Sequence, residues 1–158
     1  MFRGKLVVIG AGAVGSTTAY TIMLSGIFQE IVLIDINKNK AEGDALDMSH
    51  GVSFVKPVTV VSGDYTDCKD ADIIVIAAGA PQKEGETRLD LLKDNVKIFR
   101  SIIECVMKYA PDDVILMPVS NPVDILTYIT YRISGLSKRQ VMTFLSYITK
   151  KLHLRPLR

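Results

Sequence analysis

Short apolar runs alternate along this chain with longer stretches in which apolar residues return every three or four positions. Lys5–Ile9 predicts a first strand, and the segment from Ala13 to Ser25 a helix that Gly26 stops. Ile31–Ile34 predicts a second strand. Ala41–Ser49 has helical spacing, with Leu46 as its main apolar anchor and Ala41 and Ala45 beside it. Val58–Val61 predicts a third strand. Ile73–Ala77, "IIVIA", is a continuous apolar run, as expected of a strand buried on both faces. After the loop "GAPQKEGET", Leu91, Leu92, Val96, Phe99, Ile102, Ile103 and Val106 mark a helix from Arg88 to Tyr109. Val114–Val119 predicts a fifth strand, Asp124–Ser134 a helix closed by Gly135, and Gln140–Leu145 a sixth strand. Strands and helices in alternation predict an α/β fold, a doubly wound parallel sheet of order 3-2-1-4-5-6.

Composition changes this picture little. The chain has 158 residues, 48% hydrophobic and 23% charged, within the range of one globular domain. A net charge of +2 gives no reason to expect a nucleic acid or a membrane as partner. The distribution is uneven. Residues 1–124 carry 12 basic groups against all 17 acids, a net of −5, whereas the remainder carries seven basic groups and no acid. The two cysteines, Cys68 and Cys105, lack metal-binding or redox spacing, so no metal is expected and a reduced, cytoplasmic setting is. No signal peptide is expected, and Ile73–Pro81 is too short to span a bilayer.

The stretch "VIGAGAVGSTTAY", Val8–Tyr20, carries the first chemistry. Gly10, Gly12 and Gly15 stand between a strand and a helix, the context in which such a turn seats a dinucleotide. The first glycine permits the tight turn, the second lets the backbone approach a pyrophosphate, and the third lets helix and strand pack closely. The helix N-terminus offers N–H groups and a positive dipole end to phosphate. Asp35 follows 20 residues after Gly15, at the end of the second strand, where an acceptor for the adenosine ribose hydroxyls belongs. A carboxylate there repels a 2′-phosphate, which favours NAD over NADP. A tight-packing turn and a solvated strand-end acid are the plainer alternatives.

Two further segments, "AAGAPQKEGETRLDLLKDN" (Ala77–Asn95) and "PVSNPVDILTY" (Pro118–Tyr128), together with "DINKNKAEGDALDMSHG" (Asp35–Gly51), resemble L-lactate dehydrogenases of the lactate/malate dehydrogenase family from Lys5 to Val141. The resemblance implies a Rossmann domain with NAD as cofactor, and adds Ala13, Val14, Ala78 and Gly79 to the cofactor contacts. It makes Arg88 the loop arginine that polarises the substrate carbonyl, a fixed cation beside charge that grows in the transition state. Read alone, Arg88 opens a helix, where its charge opposes the dipole. Gln82 takes the substrate-discriminating position. Related malate dehydrogenases carry arginine there for a second carboxylate, so a neutral glutamine favours pyruvate and lactate. Asn121 becomes the asparagine that bonds near the nicotinamide ribose and the substrate. The family is homotetrameric.

After "GLSKRQV" the resemblance stops, and the chain continues "MTFLSYITKKLHLRPLR". This divides the chain into an NAD-binding domain, residues 1–141, and an unmatched basic tail, residues 142–158. The family's aspartate–histidine pair and its carboxylate-anchoring arginine have no counterpart, so a substrate domain is expected to be absent. His50, in a helix-end sequence, and His153, in the tail, are poor substitutes, and Asp124 belongs to the "SNPVD" turn. Three functions remain open on sequence alone. The first is lactate dehydrogenase activity with the missing half supplied in trans, the only condition under which pyruvate or lactate is a partner. The others are NAD binding with negligible turnover and a truncated or frameshifted product without function.

Overall fold

Lys5–Ile9 (β1) is buried at every position and sits in the middle of the sheet. In this computed structural model, which describes residues 4–81, 85 and 87–143 with the Arg88 side chain excepted, β1 pairs in parallel with Glu30–Ile34 (β2) on one side and Ile73–Ile76 (β4) on the other. Thr59–Ser62 (β3) pairs with β2, and Ile115–Pro118 (β5) with β4, both in parallel. The order is β3-β2-β1-β4-β5. A single parallel bridge, Leu116 to Val141, extends it beyond β5. The sixth strand expected at Gln140–Leu145 is limited to that bridge among the described residues, and its last two positions lie outside them.

The period-two alternation of the strands supplies two cores. Val7, Ile9, Val32, Ile34, Ile74 and Ile76 face one side of the sheet. Arg88–Val106 (α3) and Val123–Ser134 (α4) cover that side, with Phe99, Ile103 and Leu126 fully buried. Leu6, Val8, Ile31 and Leu33 face the other side, against Ala13–Ser25 (α1) and Lys38–His50 (α2). Central strands therefore read as unbroken apolar runs because both faces are covered.

Helix ends follow the local chemistry. α1 stops where Gly26 adopts a left-handed φ of 61° and returns its N–H to the Met23 carbonyl at 3.2 Å. α2 begins three residues earlier than its apolar pattern, because the Asn37 side chain caps the Lys40 N–H at 3.2 Å. Leu46 is not its anchor. That side chain is 53% exposed, and α2 packs through Ala41, Ala45 and Met48, whose smaller or more flexible side chains allow a close approach to the sheet. α3 ends at Val106, before Tyr109, where the chain turns. A short 3-10 helix at Tyr65–Asp70, capped by Asp64, leads into β4.

The N-terminal edge of the sheet is fastened by charge. The buried Lys5 ammonium lies 2.7 Å from Asp70 and 3.4 Å from Glu30, and the Lys5 N–H donates to the Asp72 carboxylate at 3.0 Å.

Candidate functional site

β1 leads directly into the glycine turn. Gly10 has φ +103°, and a Cβ there would stand 2.5 Å from the Ala78 nitrogen. A Cβ on Gly15 would collide with the Gly10 carbonyl oxygen. Both glycines are thus required by the packing of the protein on itself. Gly12 is different: a Cβ there meets nothing within 4 Å, and its φ of −73° suits any residue. Open space lies where a side chain would project, and a ligand backbone can come close there. Gly12 is also the N-cap of α1, whose first turn has neither a side-chain cap nor an acidic residue. Its N-terminal N–H groups face an exposed surface formed by Gly12, Ala13 and Val14, suited to an anion.

Asp35 follows β2 and braces this turn. Its Oδ2 accepts the Ala11 N–H at 2.6 Å, and its Oδ1 accepts the Asn37 N–H at 2.8 Å. A carboxylate offers about four lone-pair positions, so both oxygens retain capacity for hydroxyl donors, and the residue is only half-buried. The Gly10 N–H donates to the Ile34 carbonyl at 2.7 Å, which fixes the turn to the end of β2. Behind it, the Ser16 hydroxyl donates to Asp44, and Lys40 pairs with the same carboxylate at 2.9 Å. Hydrogen bonds from Lys40 and Ser16 hold Asp44 below the usual carboxylate range.

A cleft of about 310 Å³ opens between the ends of β1, β4 and β5. Val14, Gly79, Ala80, Asn95, Ser120 and Asn121 are among the residues that line it. The Ser120 hydroxyl donates to the Ala78 carbonyl at 2.7 Å, and the Asn121–Pro122 peptide is cis. All of these groups stand at the carboxyl ends of the strands. They flank the point between β1 and β4 where the chain reverses its direction of progress across the sheet, the crevice in which open α/β sheets bind ligands.

The family described as lactate/malate dehydrogenase, NAD binding domain, matches residues 4–143. The chain belongs to the lactate/malate dehydrogenase family. Over 138 residues it is 58% identical to an L-lactate dehydrogenase of Acetivibrio thermocellus, covering 87% of this chain and 43% of that protein. The crystal structure of a lactate dehydrogenase from a Medee basin deep-sea metagenome library superposes with a TM-score of 0.87 at 40% identity, covering 98% of this chain and 52% of that one. The malate dehydrogenase of Picrophilus torridus gives 0.83 at 32% identity, covering 97% and 52%. The chain thus spans less than half the length of the curated relative and carries the family's NAD-binding domain, with NAD as its cofactor.

Of the residues expected from sequence for this lactate/malate dehydrogenase domain, the fold brings together Gly10, Gly12, Ala13, Val14, Gly15, Asp35, Ala78, Gly79 and Asn121 along one sheet edge. Gln82 lies outside the described residues. Arg88 is the first residue of α3, after the Thr87 cap, and only its backbone is described. His50 is the last residue of α2 and is exposed, while His153 lies outside the described residues. Among the described residues no cluster of side chains suits a metal, and no helix is long and apolar enough to cross a membrane.

Two site residues escape the sequence reading. Ser120 ties the loop after β5 to the loop after β4. Asn95, 3% exposed, accepts the Ala80 N–H at 2.8 Å and donates to the Asn121 carbonyl at 3.3 Å. A signal for Asn95 exists: it is a polar residue one turn from both Leu91 and Phe99, on the stripe that faces the core.

Proposed function

We propose that this chain is the cofactor-holding portion of an NAD-dependent L-lactate dehydrogenase, and that alone it binds NADH without appreciable turnover of pyruvate. The observation that carries the cofactor site is the contrast among the glycines. Gly10 and Gly15 are demanded by internal packing, whereas Gly12 leaves open space beside an uncapped helix N-terminus. The pyrophosphate belongs there, with Asp35 accepting the adenosine ribose hydroxyls and the loops after β4 and β5 receiving the nicotinamide end. Asp35 also sets the preference for NAD, since its carboxylate opposes a 2′-phosphate.

When bound, NADH supplies the hydride for reduction of a 2-oxo acid. The chain's own contributions to that reaction are orientation and charge. Asn121, which lines the cleft, would bond near the nicotinamide ribose and the substrate. Arg88, at the start of α3, polarises the substrate carbonyl and stabilises the developing alkoxide. Gln82 is neutral, which suits the methyl group of pyruvate better than the second carboxylate of oxaloacetate. A positioned general acid contributes about 10²–10⁴-fold. The chain's histidines are His50, exposed at the end of α2, and His153, which lies outside the described residues.

The test is a fluorescence titration of the purified chain with NADH, NADPH serving as control, followed by an assay with pyruvate. Saturable binding that prefers NADH, without pyruvate-dependent oxidation, is expected. Failure to bind NADH would overturn the cofactor assignment. Turnover of pyruvate would overturn the claim that a further acid–base group is required.

A further inference from the structure

Asn95 is a buried amide on the core-facing stripe of α3, where an aliphatic side chain would bury its surface without loss of hydration. An amide at such a place stabilises the fold only if its bonds are made. Here they join two loops that belong to different strands. Oδ1 holds the N–H of Ala80, four residues past the end of β4, and Nδ2 holds the carbonyl of Asn121, three residues past the end of β5. The approach is close: a Cβ on Gly79 would stand 3.2 Å from the same Oδ1. Ser120 to Ala78 makes a second tie between the same loops, lower in the cleft.

From this we infer that Asn95 is a positioning residue for the nicotinamide end of the cofactor. It fixes the separation of the loops after β4 and β5, and so the width of the cleft that both loops line. The inference rests on the reading of this cleft as part of the cofactor site. It assigns Asn95 no role at the pyrophosphate, placed at Gly12 and the start of α1, or at the adenosine ribose, placed at Asp35 after β2.

The experiment uses the 158-residue chain and the variant Asn95→Ala, with three readouts: the affinity for NADH, the affinity for ADP-ribose, which lacks the nicotinamide, and amide hydrogen exchange at Ala80 and Val75. The variant is expected to bind NADH about tenfold more weakly, a change of about 1.4 kcal/mol, and ADP-ribose within twofold of wild type. Exchange at Ala80 should accelerate about tenfold or more while Val75, within β4, is unchanged. Equal losses for NADH and ADP-ribose, or unaltered exchange at Ala80, would overturn the proposal.

If Asn95→Ala does not fold, Asn95→Asp decides the matter. It retains an acceptor for Ala80 but sets an oxygen against the Asn121 carbonyl. NADH binding should then weaken selectively while Ala80 keeps its protection; unchanged NADH binding, or an equal loss for ADP-ribose, would overturn the proposal. Wild-type protein that binds neither ligand would overturn the cofactor reading itself, and the role assigned to Asn95 in it. Exchange at Ala80 would still report whether Asn95 holds the loop.

Discussion

Asp35 and Ala11 are 24 residues apart in the chain and 2.6 Å apart in the fold, with the carboxylate accepting the backbone N–H of the glycine turn. The same side chain that is placed to receive ribose hydroxyls therefore also holds the turn that receives phosphate. Recognition and scaffold share one carboxylate.

Asp35→Ala should accordingly lower stability as well as selectivity. It leaves the buried Ala11 N–H without its charged acceptor, and a hydrogen bond to a charged group contributes about 1.5–3 kcal/mol. A fall of that size in urea denaturation is expected, together with a narrowing of the NADH over NADPH preference in parallel titrations. Unchanged selectivity would remove Asp35 from the ribose site.

The glycines should separate folding from binding. Gly12→Ala is expected to keep its urea midpoint, with a change within about 1 kcal/mol for an N-cap substitution, and to lose NADH affinity by about tenfold or more. Gly10→Ala should instead destabilise the chain. Its left-handed backbone alone costs about 1–3 kcal/mol, and the contact with Ala78 adds to that. Equal behaviour of the two variants in thermal melts and titrations would contradict the assignment of Gly12.

At the opposite edge of the sheet, Lys5 should govern alkaline stability. Burial alone would lower the pKa of its amine, but the hydrogen bond to Asp70 and the charges of Glu30 and Asp70 outweigh burial and raise it. A raised folded-state pKa means that the stabilisation is fully present below the unfolded lysine value of about 10.4 and is lost as pH rises through the folded value. Asp70 mirrors this on the acid side. Lys5 holds it low, so its share is present above about pH 3.9 and disappears as pH falls through its depressed pKa. Urea midpoints of wild type and Lys5→Met from pH 7 upward should converge in strong base. Parallel curves would show that the ion pair is not the source.

Thiol chemistry offers an independent probe of packing. Burial pushes the Cys68 thiol up to about 12, with the nearby Asp67 charge adding to the effect. The thiolate is the reactive form, so at neutral pH a disulfide exchange reagent should leave Cys68 unmodified in the folded chain. Cys105, only partly buried, should account for any native labelling, and both should react in urea. Rapid labelling of Cys68 in Cys105→Ser under native conditions would mean that the core beside β4 opens readily.

Much of the fold is legible in the sequence where chemistry punctuates it. Ala13–Ser25 is read to the residue because Gly12 and Gly26 bracket it. α2 is harder. Its packing face is made of alanines and one methionine, so Leu46, the largest aliphatic side chain in the segment, attracts attention while pointing to solvent. The glycine turn and Asp35 are visible because their function depends on spacing along the chain. Asn95 and Ser120 are harder to see because theirs depends on bonds across 26 and 42 positions, which no local pattern records. The half-strand at Val141 has a related cause: its pairing partner is β5, and the local run of residues does not reveal how far that pairing extends.

β1 is five residues long, with a buried ammonium at its first position and a left-handed glycine just past its last. Seven residues separate Lys5, where a mutation is expected to register as a shifted melting curve, from Gly12, where it is expected to register as a lost ligand; Gly10, between them, belongs with the first. Because all five strands run the same way, the turns that face the ligand lie together at one end of the sheet. Variants made at the lower end can then tune robustness without touching what the upper end selects, whereas at the upper end Gly10 and Asp35 serve the fold as well as the ligand.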